Sequence, residues 1–184
     1  MEFHDKYFTK EELEKKFEIL ERDKTFGEID AKDVFHKQTP AKGILGCVIE
    51  QSVLGMKQNS LQEADLEILQ KNGKYKATEL KVTGVQPSNK EGCKYEAKEP
   101  MSLTAVSIGT IETEEFIESH FYNKIAHMFE NSSFYQYFNE HKILCIMYEE
   151  PSSEAPLNDN KFLGFKWFTF SEEFINTTIK EVYE

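Results

Sequence analysis

The chain has 184 residues, 39% of them hydrophobic and 30% charged, with a net charge of −11. At ~100–200 residues per domain this predicts one domain with a real core, and fifteen Phe and eight Tyr exclude a disordered chain. No apolar run approaches the ~18 residues that span a bilayer, and the first thirty residues lack a hydrophobic leader core, so a membrane protein or classical secretory precursor is not expected. Cys47, Cys93 and Cys145 are odd in number and widely spaced. They suit neither a disulfide framework nor a metal clip, and predict a reducing, cytoplasmic setting. The sequons at Asn131 and Asn176 are then chance matches.

Thr9 predicts the cap of a first helix, with Glu11 and Glu12 in its first turn and Leu13, Phe17 and Leu20 on one face. A polar stretch follows to Pro40. Residues 42–56 are apolar on most sides and predict a buried helix in which Glu50 is the lone acid. Ala64–Leu69 alternates as a strand, Asn72-Gly73 is a hairpin signal, and Lys76–Gln86 alternates as the return strand. Ser88–Glu99 reads as a loop, Ser102–Gly109 as a strand and residues 113–129 as an amphipathic helix. The unbroken apolar run Ile143–Tyr148 predicts a central strand. Pro151–Asp159 reads as a loop and Lys161–Phe170 as another strand. Ser171, with Glu172 and Glu173 behind it, opens a last helix that runs to the end of the sequence. The fold class is α/β, with a central mixed β-sheet flanked by helices.

Charge along the chain is uneven. Residues 71–110 hold seven Lys against four Glu, whereas the flanking regions are acidic. This allows one basic face, suited to a polyanion in a salt-sensitive way, on an acidic body. A solvated hairpin with ordinary surface lysines explains the same count.

One group of residues exceeds what packing requires. Glu79-Leu80-Lys81 puts a carboxylate and an ammonium on one face of a strand, because residues two apart share a face. If Asn72-Gly73 turns a hairpin, Asp65 meets Glu79 across it. Two adjacent carboxylates repel unless a cation lies between them, and a hard ion such as Mg²⁺ suits oxygen donors. A nearby lysine can orient a water and stabilise developing negative charge. Asp…Glu-x-Lys is therefore a minimal phosphodiesterase set, but the bare pattern also fits a solvated cross-strand Glu–Lys pair.

Further segments occur in order around it. Thr25-Phe26-Gly27-Glu28-Ile29, Lys42-Gly43-Ile44-Leu45-Gly46 leading to Glu50, Asn59-Ser60, Ala64-Asp65-Leu66 and Glu79-Leu80-Lys81-Val82-Thr83 follow one another. Together they resemble the MutH-type mismatch-repair endonucleases and the related type II restriction endonucleases that cut at GATC, best over residues 25–86. The resemblance implies a PD-(D/E)xK restriction-endonuclease-like fold and Mg²⁺-dependent, sequence-specific hydrolysis of double-stranded DNA. It implies that Asp65 and Glu79 hold the metal, that Lys81 acts on the water and that Glu50 lies beside the metal. Lys142 corresponds loosely to a further family lysine. Ala64 stands where the pattern often has Pro, and the Asp65-to-Glu79 gap is longer than in the mismatch-repair branch. Lys71, Lys74, Lys76, Lys90, Lys94 and Lys142 are the candidate DNA contacts. Restriction relatives carry a second, DNA-binding domain, so residues 1–184 are expected to be a single catalytic domain from the N-terminal part of a longer chain. That domain or a second copy would be its partner.

Other features point elsewhere or nowhere. His120 and His127 lie seven apart, unlike the i, i+4 spacing of a metal pair, and His4, His36 and His141 have no partner in sequence. Phe134, Tyr135, Tyr137 and Phe138 fit a helix packed on the sheet more simply than a base-stacking platform. Cys47 reads as an inert hydrophobe, and Gly43 and Gly46 match no nucleotide loop. The second functional class is a non-catalytic DNA-binding or regulatory module with the same fold.

Overall fold

The computed structural model describes residues 6–38, 43–57, 64–100 and 129–183. By its internal contacts the chain divides into two compact units. One comprises Met1–Met101 with Lys142–Phe168, the other Ser102–His141 with Thr169–Glu184.

The first unit holds a mixed sheet of six strands among the described residues: β1 (Tyr7–Thr9), β2 (Leu66–Leu69), β3 (Tyr75–Pro87), β4 (Tyr95–Ala97), β5 (Lys142–Glu149) and β6 (Lys161–Phe168). The order is β1-β2-β3-β5-β6, with β4 on the far end of β3. β1 runs parallel to β2 and β3 parallel to β5, while β2–β3, β3–β4 and β5–β6 are antiparallel. Gly73, at φ +77°, makes the tight turn between β2 and β3. Ile143, Leu144, Cys145 and Ile146 are all buried, so β5 is covered on both faces as its continuous apolar run predicts.

Four helices pack on one face of this sheet: α1 (Lys10–Glu18), α2 (Phe26–Ile29), α3 (Val34–Lys37) and α4 (Ile44–Val48). Thr9 and Glu12 form a reciprocal capping box at the start of α1, which sends Leu13 and Phe17 into the core. α4 contributes Ile44, Leu45 and Val48, then widens into a π-helical turn, Ile49–Val53. These side chains close over Leu66, Ile68, Leu80, Leu144 and Ile146.

The polar stretch after α1 proves to be structured. Thr25 and Glu28 form a second capping box that starts α2, and the Asp30 carboxylate accepts from the Phe35 N–H and the Ser52 hydroxyl. Single-turn helices lack the length for a hydrophobic period, which is why α2 and α3 escape a pattern search. The loop expected over Ser88–Glu99 contains β4, and β1 is likewise unforeseen; three residues are too few for alternation to register. The predicted strand 102–109 and all but the last residue of the predicted helix 113–129 lie outside the described residues.

In the second unit, Ser132 caps α5 (Ser133–Glu140) and Ser171 caps α6 (Glu172–Phe174). α6 passes through a π turn (Ile175–Ile179) into α7 (Lys180–Tyr183). Phe129, Phe138 and Ile175 are its buried centre, with Tyr135, Phe170 and Ile179 packed around them. Phe138 has this cluster as its apolar surroundings.

Candidate active site

The hairpin register decides where the acidic residues meet. Leu66 pairs with Thr78, so Asp65, one residue before, stands opposite Glu79. The Asp65 Oδ2 accepts a hydrogen bond from the Leu80 N–H at 2.8 Å, which fixes the carboxylate against β3. Glu79 and Lys81 share a face of β3, and the Lys81 ammonium donates to Glu79 Oε2 at 3.2 Å. The pair is only 16% and 25% exposed respectively, so water screens it less than a surface pair.

Electrostatics tie Glu50 to this group. Burial raises the Asp65 carboxyl above the usual aspartate range; the Leu80 N–H opposes this and the neighbouring Glu79 adds to it. Burial, then the charge of Asp65, pushes Glu50 up to about 7. Glu50 reaches this place from the π turn that follows α4. Such turns recur at functional sites because they re-aim a side chain. The π turn at Ile175–Ile179 in the other unit shows that the feature alone assigns nothing.

The donor set is three carboxyls and one ammonium, with two carboxyls facing each other. Hard oxygen donors in mutual repulsion suit a hard divalent cation that keeps several waters and takes only one or two carboxylates from the protein. Among the described residues no three His, Cys, Asp or Glu side chains are gathered into a ready-made metal cluster. Asp65 and Glu79 are the residues that could hold such a cation, with Glu50 near enough to feel the charge of Asp65.

The lysines separate into distinct environments. Lys142 pairs in register with Thr78, so it projects from the face that carries Leu80 and Leu144, opposite Glu79 and Lys81. Its ammonium donates to Gln70 Oε1 at 3.2 Å. Lys142 therefore does not join the acidic group. Lys76 shares its face by strand alternation, and Lys71 and Lys74 are exposed beside the Asn72-Gly73 turn. Lys90 is paired with Glu96 at 2.9 Å, and Lys94 lies 5.4 Å from the centre of the Tyr95 ring. Gln70 carried no signal in the sequence beyond being the next polar residue after Ile68 and Leu69.

His36 bonds Asp33 through Nδ1 at 2.5 Å, a partner three residues upstream, and His141 stacks on Tyr137. His4, His120 and His127 lie outside the described residues. Burial raises the Cys47 thiol, helped by Glu50, and pushes Cys145 up to about 11, which suits inert, packed thiols. No helix among the described residues is long and apolar enough to cross a membrane.

No curated protein matches the chain significantly. A family match does exist, and it covers the hairpin. The model of the family described as DNA mismatch repair enzyme MutH matches residues 54–143, just under half of the chain. The matched segment contains Asp65, Glu79, Lys81 and Lys142; Glu50 and the Thr25–Ile29 segment lie before it. That family consists of DNA endonucleases with a restriction-endonuclease-like fold, and the mixed α/β sheet agrees with it. Over residues 54–143 the chain is similar to the MutH family.

Proposed function

We propose that the chain is a Mg²⁺-dependent, sequence-specific DNA endonuclease of the PD-(D/E)xK type, acting at GATC, with Asp65, Glu79 and Lys81 as its catalytic set. The observation that carries this reading is the juxtaposition of Asp65, Glu79 and Lys81 on one hairpin inside the MutH-matched segment. A pure binding module would gain only repulsion from carboxylates set against DNA phosphates.

Asp65 and Glu79 would hold the cation, whose charge would offset that building on the phosphate oxygen and acidify a bound water. Asp65 is kept in place by the Leu80 N–H, so it does not have to be ordered when substrate arrives. Lys81 is oriented by Glu79 and can position the attacking water and stabilise the negative charge that develops. Glu50, which feels the charge of Asp65, is about half protonated at neutral pH, and positive charge nearby would favour its ionised form. Lys71 and Lys74, both exposed, would touch the backbone of the duplex.

The test is cleavage of plasmid DNA with and without GATC sites, with and without adenine methylation, in millimolar Mg²⁺. Asp65→Ala and Lys81→Ala should each lower the rate by about 10²–10⁴-fold while the protein stays folded. Cutting that survives both substitutions would place the chemistry elsewhere. Duplex binding without any cutting by the wild type would favour the binding-module class.

A further inference from the structure

A second charged feature lies on the other face of the sheet. Parallel pairing of Thr9 with Leu69 sets the first turn of α1 beside the end of β2. Between them is a cleft of about 620 Å³, walled by Thr9, Lys10 and Glu11 on one side and Gln70, Lys71 and Asn72 on the other, with Lys142 alongside. Three lysines line it against one acid, in a protein of net charge −11.

The ammonium of Lys142 is aimed rather than free. Gln70 donates through Nε2 to the Ile68 carbonyl at 2.7 Å and accepts from Lys142 through Oε1, so a fixed amide holds the lysine at the cleft. No carboxylate among the described residues pairs with Lys142, and two of its three donors remain unused. Burial, and the ammoniums of Lys76 and Lys10, hold Lys142 below the usual lysine range. Lys10 is half-exposed, with its ammonium 3.4 Å from Glu14 and 5.7 Å from the centre of the Trp167 ring. A group of like charges of this kind, with donors left over, is relieved by an oxyanion.

We propose that this cleft is a phosphate-binding site, with Lys10 and Lys142 as its principal ligands and Lys76 and Lys71 supplying further charge. It is separate from the carboxylate group, since Lys142 and Glu79 point from opposite faces of the sheet. The occupant is a phosphate group, either one in the backbone of a bound duplex or a free phosphate. The site does not depend on the nuclease reading, because anion binding requires no hydrolysis.

The test uses the whole chain in chelator, so that no cutting occurs. Inorganic phosphate, compared with chloride at equal ionic strength, should raise the thermal midpoint of the wild type by a few degrees. Lys142→Gln and Lys10→Gln should each abolish that rise; Lys10 is half-exposed, so its variant keeps the test valid if Lys142→Gln misfolds. In parallel, duplex binding is measured by fluorescence anisotropy over a salt series. If backbone phosphate fills the cleft, the double variant binds duplex more weakly, its log–log salt slope falls by about two, and phosphate competes with duplex. A phosphate-dependent rise with unchanged duplex binding identifies the free anion as the occupant. No stabilisation of the folded wild type by phosphate overturns the proposal, whatever the duplex result. No cutting by the wild type once Mg²⁺ replaces the chelator, with phosphate stabilisation intact, would overturn the nuclease reading alone.

Discussion

Glu50 carries a measurable consequence of being buried next to another acid. Its carboxyl titrates at about 7 in the folded chain, against an ordinary value of 4.5. Between those values the folded protein holds a proton that the unfolded chain has released. Stability contributed at this position is therefore complete below about 4.5 and is lost as pH rises through about 7. In chelator, Glu50→Gln should remove that loss, leaving the variant more stable than wild type at pH 8 by up to about 3 kcal/mol and nearly equal to it at pH 4.5. Urea midpoints at the two pH values check this; equal stabilities at pH 8 would mean that Glu50 is not buried against Asp65. The identity of the acidic set is readable from the sequence because period-two alternation fixes Glu79 and Lys81 on one face. The state of Glu50 is not readable, since it depends on burial and on a neighbour fifteen residues away.

The hairpin between β2 and β3 transmits this geometry. Gly73 occupies a backbone conformation that side chains disfavour, with open space around its Cα. Gly73→Ala should destabilise the protein by about 1 kcal/mol through backbone strain alone. A slip of one residue in the hairpin would send Glu79 and Lys81 to the opposite face. Gly73→Ala should thus lower the thermal midpoint yet leave the cleavage rate per folded molecule unchanged; a proportionate loss of rate would show that the turn also sets the register. Asn72-Gly73 made this element legible in the sequence, as the Thr9 cap and the helical spacing of Leu13, Phe17 and Leu20 made α1 legible. Elements of three or four residues, such as β1, α3 and β4, were not legible, because too few side chains repeat to reveal a face. The separation of Lys142 from the acidic group also lay beyond the sequence: it follows from which residue of β3 pairs with Lys142, and the alternation of β5 alone leaves that open.

At the scale of the molecule, the acidic body limits attraction for a polyanion, and Lys10 of α1, Lys71 after β2 and Lys142 of β5 line one cleft within it. The order in which those pieces come together follows from the topology of the sheet. β2 and β3 need only a short turn to meet, whereas Tyr7 of β1 waits for Glu67, and Thr78 of β3 waits for Lys142. Closing long loops before contacts reward them slows a chain, so the parallel joins should form last. In pulsed hydrogen exchange during refolding, amides of β2 and the first half of β3 should gain protection ahead of those that bond β3 to β5; simultaneous protection would argue for a concerted sheet. On a ribosome the same sequence has a spatial meaning. β1 leaves the exit tunnel ahead of its mate, and stays unpaired with it until β2 has been synthesised. The β2–β3 hairpin, by contrast, can close as soon as both its strands have emerged, well before β5 exists to pair with it.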